Sequence, residues 1–259
     1  MRHAKIVCTA LCLLLAAQVP ALAGTVRVMI SGGFSAAYNN LVAAYQKKSG
    51  NTVVTVRGPS MGADSTAIPA RLARGEAADV VIMVRSALDK LRAGGQVVPA
   101  SAIDLAFGRV GMAVKAGAPK PDIHTVEAFK QTLLNAKSVA YSDSASGVYL
   151  QTVLFKKLGI AKQMAPKSKM IQATPVGLNI ARGEYELGFQ QLSELKPIPG
   201  IDIVGLIPEA VQQITPFAAG LVAKAPNPAG GRDLIRFLTS TAADDAIRAS
   251  GMQPARKAN

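Results

Sequence analysis

Two cysteines occur in the chain, Cys8 and Cys12, and both lie near the N-terminus. There Arg2, His3 and Lys5 precede an almost unbroken apolar run over residues 6–17, and Ala21-Leu22-Ala23 follows with small residues at the spacing a signal peptidase reads. A secretory signal peptide is expected over residues 1–23, cleaved after Ala23. The run is shorter than the about 20 residues that cross a bilayer, so no membrane anchor is expected. Neither cysteine follows a lipoprotein cleavage pattern. Cleavage removes both cysteines, which excludes disulfides, thiol nucleophiles and cysteine metal sites. Beyond residue 23 the one histidine is His124, too few for histidine metal sites or most Ser-His triads. No metal and no cofactor are expected. Tryptophan is absent, aromatics make up 5%, and Lys and Arg form no run. Stacking platforms are therefore scarce, and nucleic acid is not an expected partner.

About 236 residues remain after cleavage, enough for one large domain or two lobes. A hydrophobic content of 49% argues for a packed core. The chain has 29 Lys and Arg against 16 Asp and Glu, a balance that draws small anions at long range. Hydrophobic patterning gives strand 25–30, helix 35–49, strand 51–56, helix 67–74, strand 78–84 and helix 86–93, a βαβαβα order that implies parallel strands covered by helices. The theme repeats less regularly with strands over 110–114, 138–141, 170–173, 187–191, 201–206 and 215–223. Helices are expected over 126–134, from the 142–147 turn to 158, from 175 to 182, over 229–238 and over 242–251. Two α/β lobes fit this order better than one continuous sheet.

Four places share one design, in which a strand ends, small polar residues turn the chain, and a helix begins. They are residues 30–35 (Ile-Ser-Gly-Gly-Phe-Ser), 60–62 (Ser-Met-Gly), 142–147 (Ser-Asp-Ser-Ala-Ser-Gly) and 174–177 (Thr-Pro-Val-Gly). The first N–H groups of a helix lack partners and sit at the positive end of its dipole. Glycine lets a ligand approach the backbone and serine adds a hydroxyl, so such turns suit an anion. Ser and Gly are also ordinary cap and turn residues, and no turn matches a P-loop or a dinucleotide fingerprint. The candidate ligand residues are Ser31, Gly33, Ser35, Ser60, Met61, Gly62, Ser144, Ser146 and Gly147, with Arg71 as a two-pronged carboxylate partner. Asp64, Asp143 and Glu194 lie in or beside these turns as candidate bases, or as caps and surface charges. His124 reads as a capping or exposed residue.

The chain resembles the periplasmic molybdate-binding proteins of ABC uptake systems. The resemblance is carried by residues 28–35, by 67–82 with its Arg-Gly-Glu-Ala-Ala-Asp-Val-Val-Ile ending, by Ser146-Gly147-Val148-Tyr149 before a helix ending Lys-Leu-Gly, and by Leu187-Gly188-Phe189. It covers nearly all of the chain after the leader. It implies a two-lobed type II periplasmic-binding fold, each lobe a mixed sheet flanked by helices, with lobe I from 24–109 and 214–259 and lobe II from 110–213. It also implies an oxyanion held by neutral donors from both lobes. The matching positions are Gly33 (flanked by Ser31 and Ser35), a point between Ser60 and Ser65, the N–H of Ser146, the N–H of Val176, and Gln191 where the family has tyrosine. The family includes an aconitate isomerase branch, which interconverts trans- and cis-aconitate. The expected function is a periplasmic solute-binding protein for a molybdate-like oxyanion or a di- or tricarboxylate, with a cofactor-free aconitate isomerase as the alternative. The first implies an ABC permease as partner, and a monomer is expected in either case.

Overall fold

A computed structural model describes residues 24–62 and 64–256. The expected signal peptide over residues 1–23 lies outside the described residues. The first half of the chain runs β1 (Thr25–Ile30), α1 (Gly32–Ser49), β2 (Thr52–Arg57), α2 (Ile68–Ala73), β3 (Val80–Val84), α3 (Arg85–Ala93) and β4 (Ile103–Lys115). It continues with α4 (Val126–Asn135), β5 (Val139–Ser142), α5 (Ala145–Tyr149), a π-turn over Leu150–Leu154, α6 (Phe155–Lys157), α7 (Ala161–Met164) and β6 (Ser168–Ile171). Then come α8 (Val176–Ala181), β7 (Leu187–Gln191), α9 (Leu192–Leu195), β8 (Ile201–Leu206), β9 (Ile214–Leu221), α10 (Pro228–Leu238), α11 (Asp244–Ala249) and β10 (Gln253–Pro254).

The strands are ordered β2-β1-β3-β9-β4-β7-β5-β6, with β8 and β10 also on β4. β2, β1 and β3 are parallel, as are β7, β5 and β6, while β9 runs antiparallel between β3 and β4. The sheets are therefore mixed, as expected for two lobes of this fold. β3 is buried along its whole length, which is why Val-Val-Ile-Met-Val is apolar without alternation. Lobe I packs helices on both faces of its sheet: Phe34, Tyr38 and Tyr45 fill one side, Ile68, Leu88 and Leu91 the other. Lobe II builds its main core from Met112, Phe129, Phe155 and Phe189.

β4 extends beyond the strand expected over residues 110–114, and its first half was not expected. Ile103–Arg109 pairs with β9, and Val110–Lys115 pairs with β7 and β8. One strand thus feeds both sheets. Three other local differences bear on the site. α1 begins at Gly32, three residues before the apolar spacing starts, and ends on Gly50 with its left-handed φ of 74°. The long helix expected after residue 147 is interrupted by the π-turn. One turn of helix, α9, directly follows β7 where none was expected. No described helix is long and apolar enough to cross a membrane.

Candidate functional site

The carboxyl ends of the parallel strands bring the turns side by side. In lobe I the Ser31 N–H donates to the Ile82 carbonyl at 2.9 Å, and the Gly58 N–H to that of Ile30 at 3.1 Å. The Ser60 hydroxyl, fully buried, accepts the Val84 N–H at 2.9 Å. In lobe II the Asp143 N–H donates to the Ile171 carbonyl at 3.2 Å, and the Asp143 carboxylate accepts the Ala173 N–H at 3.0 Å. This is the edge at which open α/β sheets bind ligands.

Two helices start there, and neither is capped by its serine. Ser31 and Ser144 occupy the N-cap positions of α1 and α5, yet neither side chain accepts a bond from the helix amides. The Ser31 hydroxyl is buried without a hydrogen-bond partner among the described residues. The Ser35 hydroxyl donates to the Ser31 carbonyl and accepts from Arg57. At α5 the hydroxyl of Ser142 lies 3.0 Å from that of Ser144 and 3.1 Å from that of Ser146, giving three linked hydroxyls at one helix start. Ala145 packs against the lobe I core, so the start of α5 reaches across to the other lobe.

The glycines do a different job from the one their sequence position suggested. A methyl group on Gly33 would collide with the Phe217 ring, one on Gly32 with the Glu194 carboxylate, and one on Gly147 with the Ser142 carbonyl. These glycines admit neighbouring protein atoms. Val176 is likewise reassigned, because its N–H is held by the Gln190 side-chain carbonyl at 2.9 Å, inside the protein. Gln191 lies at the junction of the sheets, opposite Val110. Its amide donates to the Thr215 hydroxyl at 3.0 Å, while its side-chain oxygen is buried without a partner, next to Gly108.

α9 carries the residues that sequence reasoning missed or undervalued. The buried Ser193 hydroxyl donates to the Gly33 carbonyl at 2.6 Å and fixes α9 to the start of α1. Glu194 follows, its carboxylate against Gly32. It keeps some surface to solvent while lying deep in the molecule, and the loss of surrounding water pushes its carboxyl up to about 7. A side-chain hydrogen bond with Gln190 favours the charged form, and the negative charge of Asp143 disfavours it. The short apolar-polar pattern Leu-Ser-Glu-Leu was the available signal, but four residues are too few for periodicity to declare a helix.

Other expected residues stand apart. Arg71 bonds both oxygens of Glu76 at 2.9 Å and the Thr66 carbonyl, so its guanidinium is occupied within its own loop. Met61 and Gly62 line a cavity of about 360 Å³ with Pro69, Lys90 and Gln96, between α2 and α3. Asp64 is partly exposed, and its bonds from the Thr66 hydroxyl and N–H hold its carboxyl below the usual range, which suits a turn and not a base. A larger cavity of about 530 Å³ is lined by Arg85, Asp104, Asp244 and Arg256, whose charges pair with one another. It lies away from the helix starts. No group of three or more potential metal ligands occurs among the described residues.

Comparison with known proteins places this geometry. The chain is 51% identical over 245 residues to an aconitate isomerase from a Pseudomonas species, covering 93% of this chain and 94% of the relative. Its fold is similar to the periplasmic molybdate-binding protein of Azotobacter vinelandii, with a TM-score of 0.72 and 19% identity over 88% of this chain and 98% of that one. It is also similar to a sulfate-binding protein of Mycobacterium tuberculosis, with a TM-score of 0.70 and 13% identity over 90% of this chain and 87% of that one. Residues 26–253 match the family of bacterial extracellular solute-binding proteins, and the chain belongs to that family.

Proposed function

We propose that the chain holds a small tricarboxylate between its lobes and interconverts its cis and trans forms, as an exported aconitate isomerase that needs no metal or organic cofactor. The observation that carries this reading is the meeting of two uncapped, serine-led helix starts from opposite lobes with one carboxyl, that of Glu194. Free N–H groups and hydroxyls suit carboxylate oxygens and the enolate-like charge that grows when an allylic proton leaves. Ser31, Ser144, Ser146 and the first amides of α1 and α5 are the donors in this reading. A carboxyl at this place serves a substrate that must lose and regain a proton. The 51% identity to an aconitate isomerase supports the same choice.

Membership of the solute-binding family favours a second reading, in which the anion is carried unchanged to an ABC permease in the bacterial envelope. Both readings use one closing motion, of lobe II (110–213) against lobe I (24–109 and 214–259), with the change of partner along β4 as the boundary. Proton NMR of trans-aconitate with the purified protein in D₂O separates them. Growth of cis-aconitate signals is the expected result. Line broadening without conversion overturns the isomerase and leaves a carboxylate-binding protein.

A further inference from the structure

Two carboxylates of the chain, Asp79 in lobe I and Glu194 on α9, are set up in opposite ways. Asp79 is completely buried, and its two oxygens accept the N–H groups of Arg27 at 2.6 Å and Asn227 at 2.5 Å. That is how a structural carboxylate is satisfied, by fixed backbone donors on both oxygens. Glu194 has neither a backbone donor nor an ion-pair partner among the described residues. It keeps part of its surface to solvent, and its oxygen lies against Gly32, in the first turn of α1. The Ser193 bond to the Gly33 carbonyl and the adjacent Gln190 fix its position from both sides. The charged group facing it is Asp143, from the turn before α5. α1 has no acidic residue in its first turn, and Lys196, directly after α9, is turned to the Ala249 carbonyl.

Resting on the isomerase reading above, we propose that Glu194 is the single group that both removes and returns the proton. Its carboxylate takes a proton from the CH₂ carbon of the bound tricarboxylate. The C–H electron pair becomes the new C=C bond, and the pair of the old C=C bond moves to the far carbon of the three-carbon unit. Glu194, now protonated, gives the proton to that far carbon and is again a carboxylate. Atoms and electrons balance with no oxidant and no second base. Gly32 is the other half of the device: only hydrogen at this position leaves the carboxylate its place against the first turn of α1.

The test uses Glu194→Gln and Gly32→Ala, with trans-aconitate as the probe. Conversion is followed by proton NMR, binding by calorimetry and folding by thermal melting. Glu194→Gln is expected to lose at least a thousandfold in conversion while binding within about tenfold of the wild type, in line with general acid–base contributions. Gly32→Ala needs the Glu194 side chain to swing aside, which costs little stability, and is expected to lose conversion by about a hundredfold with its melting temperature nearly unchanged. The wild-type kcat/KM is expected to rise with pH through a single ionisation near 7. Conversion by Glu194→Gln within tenfold of the wild type overturns Glu194 as the proton carrier and leaves the isomerase standing. Wild-type protein that binds without converting overturns both. If either variant melts early, the wild-type pH profile decides, since a flat profile between pH 5.5 and 8.5 also overturns the proposal.

Discussion

Among the described residues four α-helices begin on a residue able to cap them, and they divide into two pairs. Thr125 accepts the Ala128 N–H at the start of α4, and Asn227 accepts the Gly230 N–H at the start of α10. Ser31 and Ser144 leave the amides of α1 and α5 alone. The capping pair lies away from the junction of the lobes; the open pair faces it. An N-cap bond contributes about 1 kcal/mol, so two open starts are a stability cost that a ligand can recover. Serine at a strand-to-helix turn therefore has two meanings, and the direction of its hydroxyl decides between them.

The comparison breaks most violently at the glycines that let the open starts pack. Gly147→Ala drives a methyl group into the Ser142 carbonyl, which is backbone and cannot swing away. A loss of about 3 kcal/mol is expected, at the upper end for overpacking, with lobe II affected first. Urea unfolding checks it, and a loss below about 1 kcal/mol would mean that the α5 start tolerates displacement. Gly33→Ala, against the Phe217 ring, is expected to cost nearly as much.

A second effect, somewhat smaller and opposite in sign, comes from the carboxyl between the open starts. Glu194 is raised from 4.5 to about 7 in the folded chain. Between those values the folded chain keeps a proton that the unfolded chain has released, so stability falls as pH rises through this window and levels off above it. Glu194→Gln removes that slope. At pH 8 the variant is expected to be more stable than the wild type by roughly 2–3 kcal/mol, and at pH 4 equal to it. Parallel melting curves across the range would place the carboxyl in an ordinary solvated setting.

Much of this arrangement was legible in the sequence. Val26, Val28 and Ile30 in β1, and the unbroken apolar run of β3, announce buried strands, and Ser-Gly turns after them announce helix starts at the carboxyl edge. The turns of residues 30–35 and 142–147 are brought to that edge. The fates of the hydroxyls were not legible, because a one-dimensional pattern gives a serine's position and not the rotamer its neighbours enforce. Arg71 shows the same limit: its pairing with Glu76 depends on the chain reversing at Gly75. Gln190 and Ser193 were invisible because their partners, Val176 and Gly33, are distant in sequence. β4 was half seen, since its pairing with β9 is set by a strand more than a hundred residues later.

The smallest stability effects discriminate most sharply between the two pairs of helices. Asn227→Ala and Thr125→Ala each remove a cap and are expected to cost about 1 kcal/mol while leaving affinity for a tricarboxylate unchanged. Ser31→Ala deletes a buried hydroxyl that has no partner among the described residues. Burying an unpaired polar group is unfavourable, so its removal should leave stability unchanged or raise it by a few tenths of a kcal/mol. The same change withdraws a donor from the bound anion, worth about 1 kcal/mol or a fivefold loss in affinity. The caps are thus expected to lose stability and keep binding, and Ser31 to do the reverse. Calorimetry with trans-aconitate beside thermal melting of all three variants reads both signs. A Ser31→Ala protein that melts lower and binds as well as wild type would show its hydroxyl to be an ordinary cap.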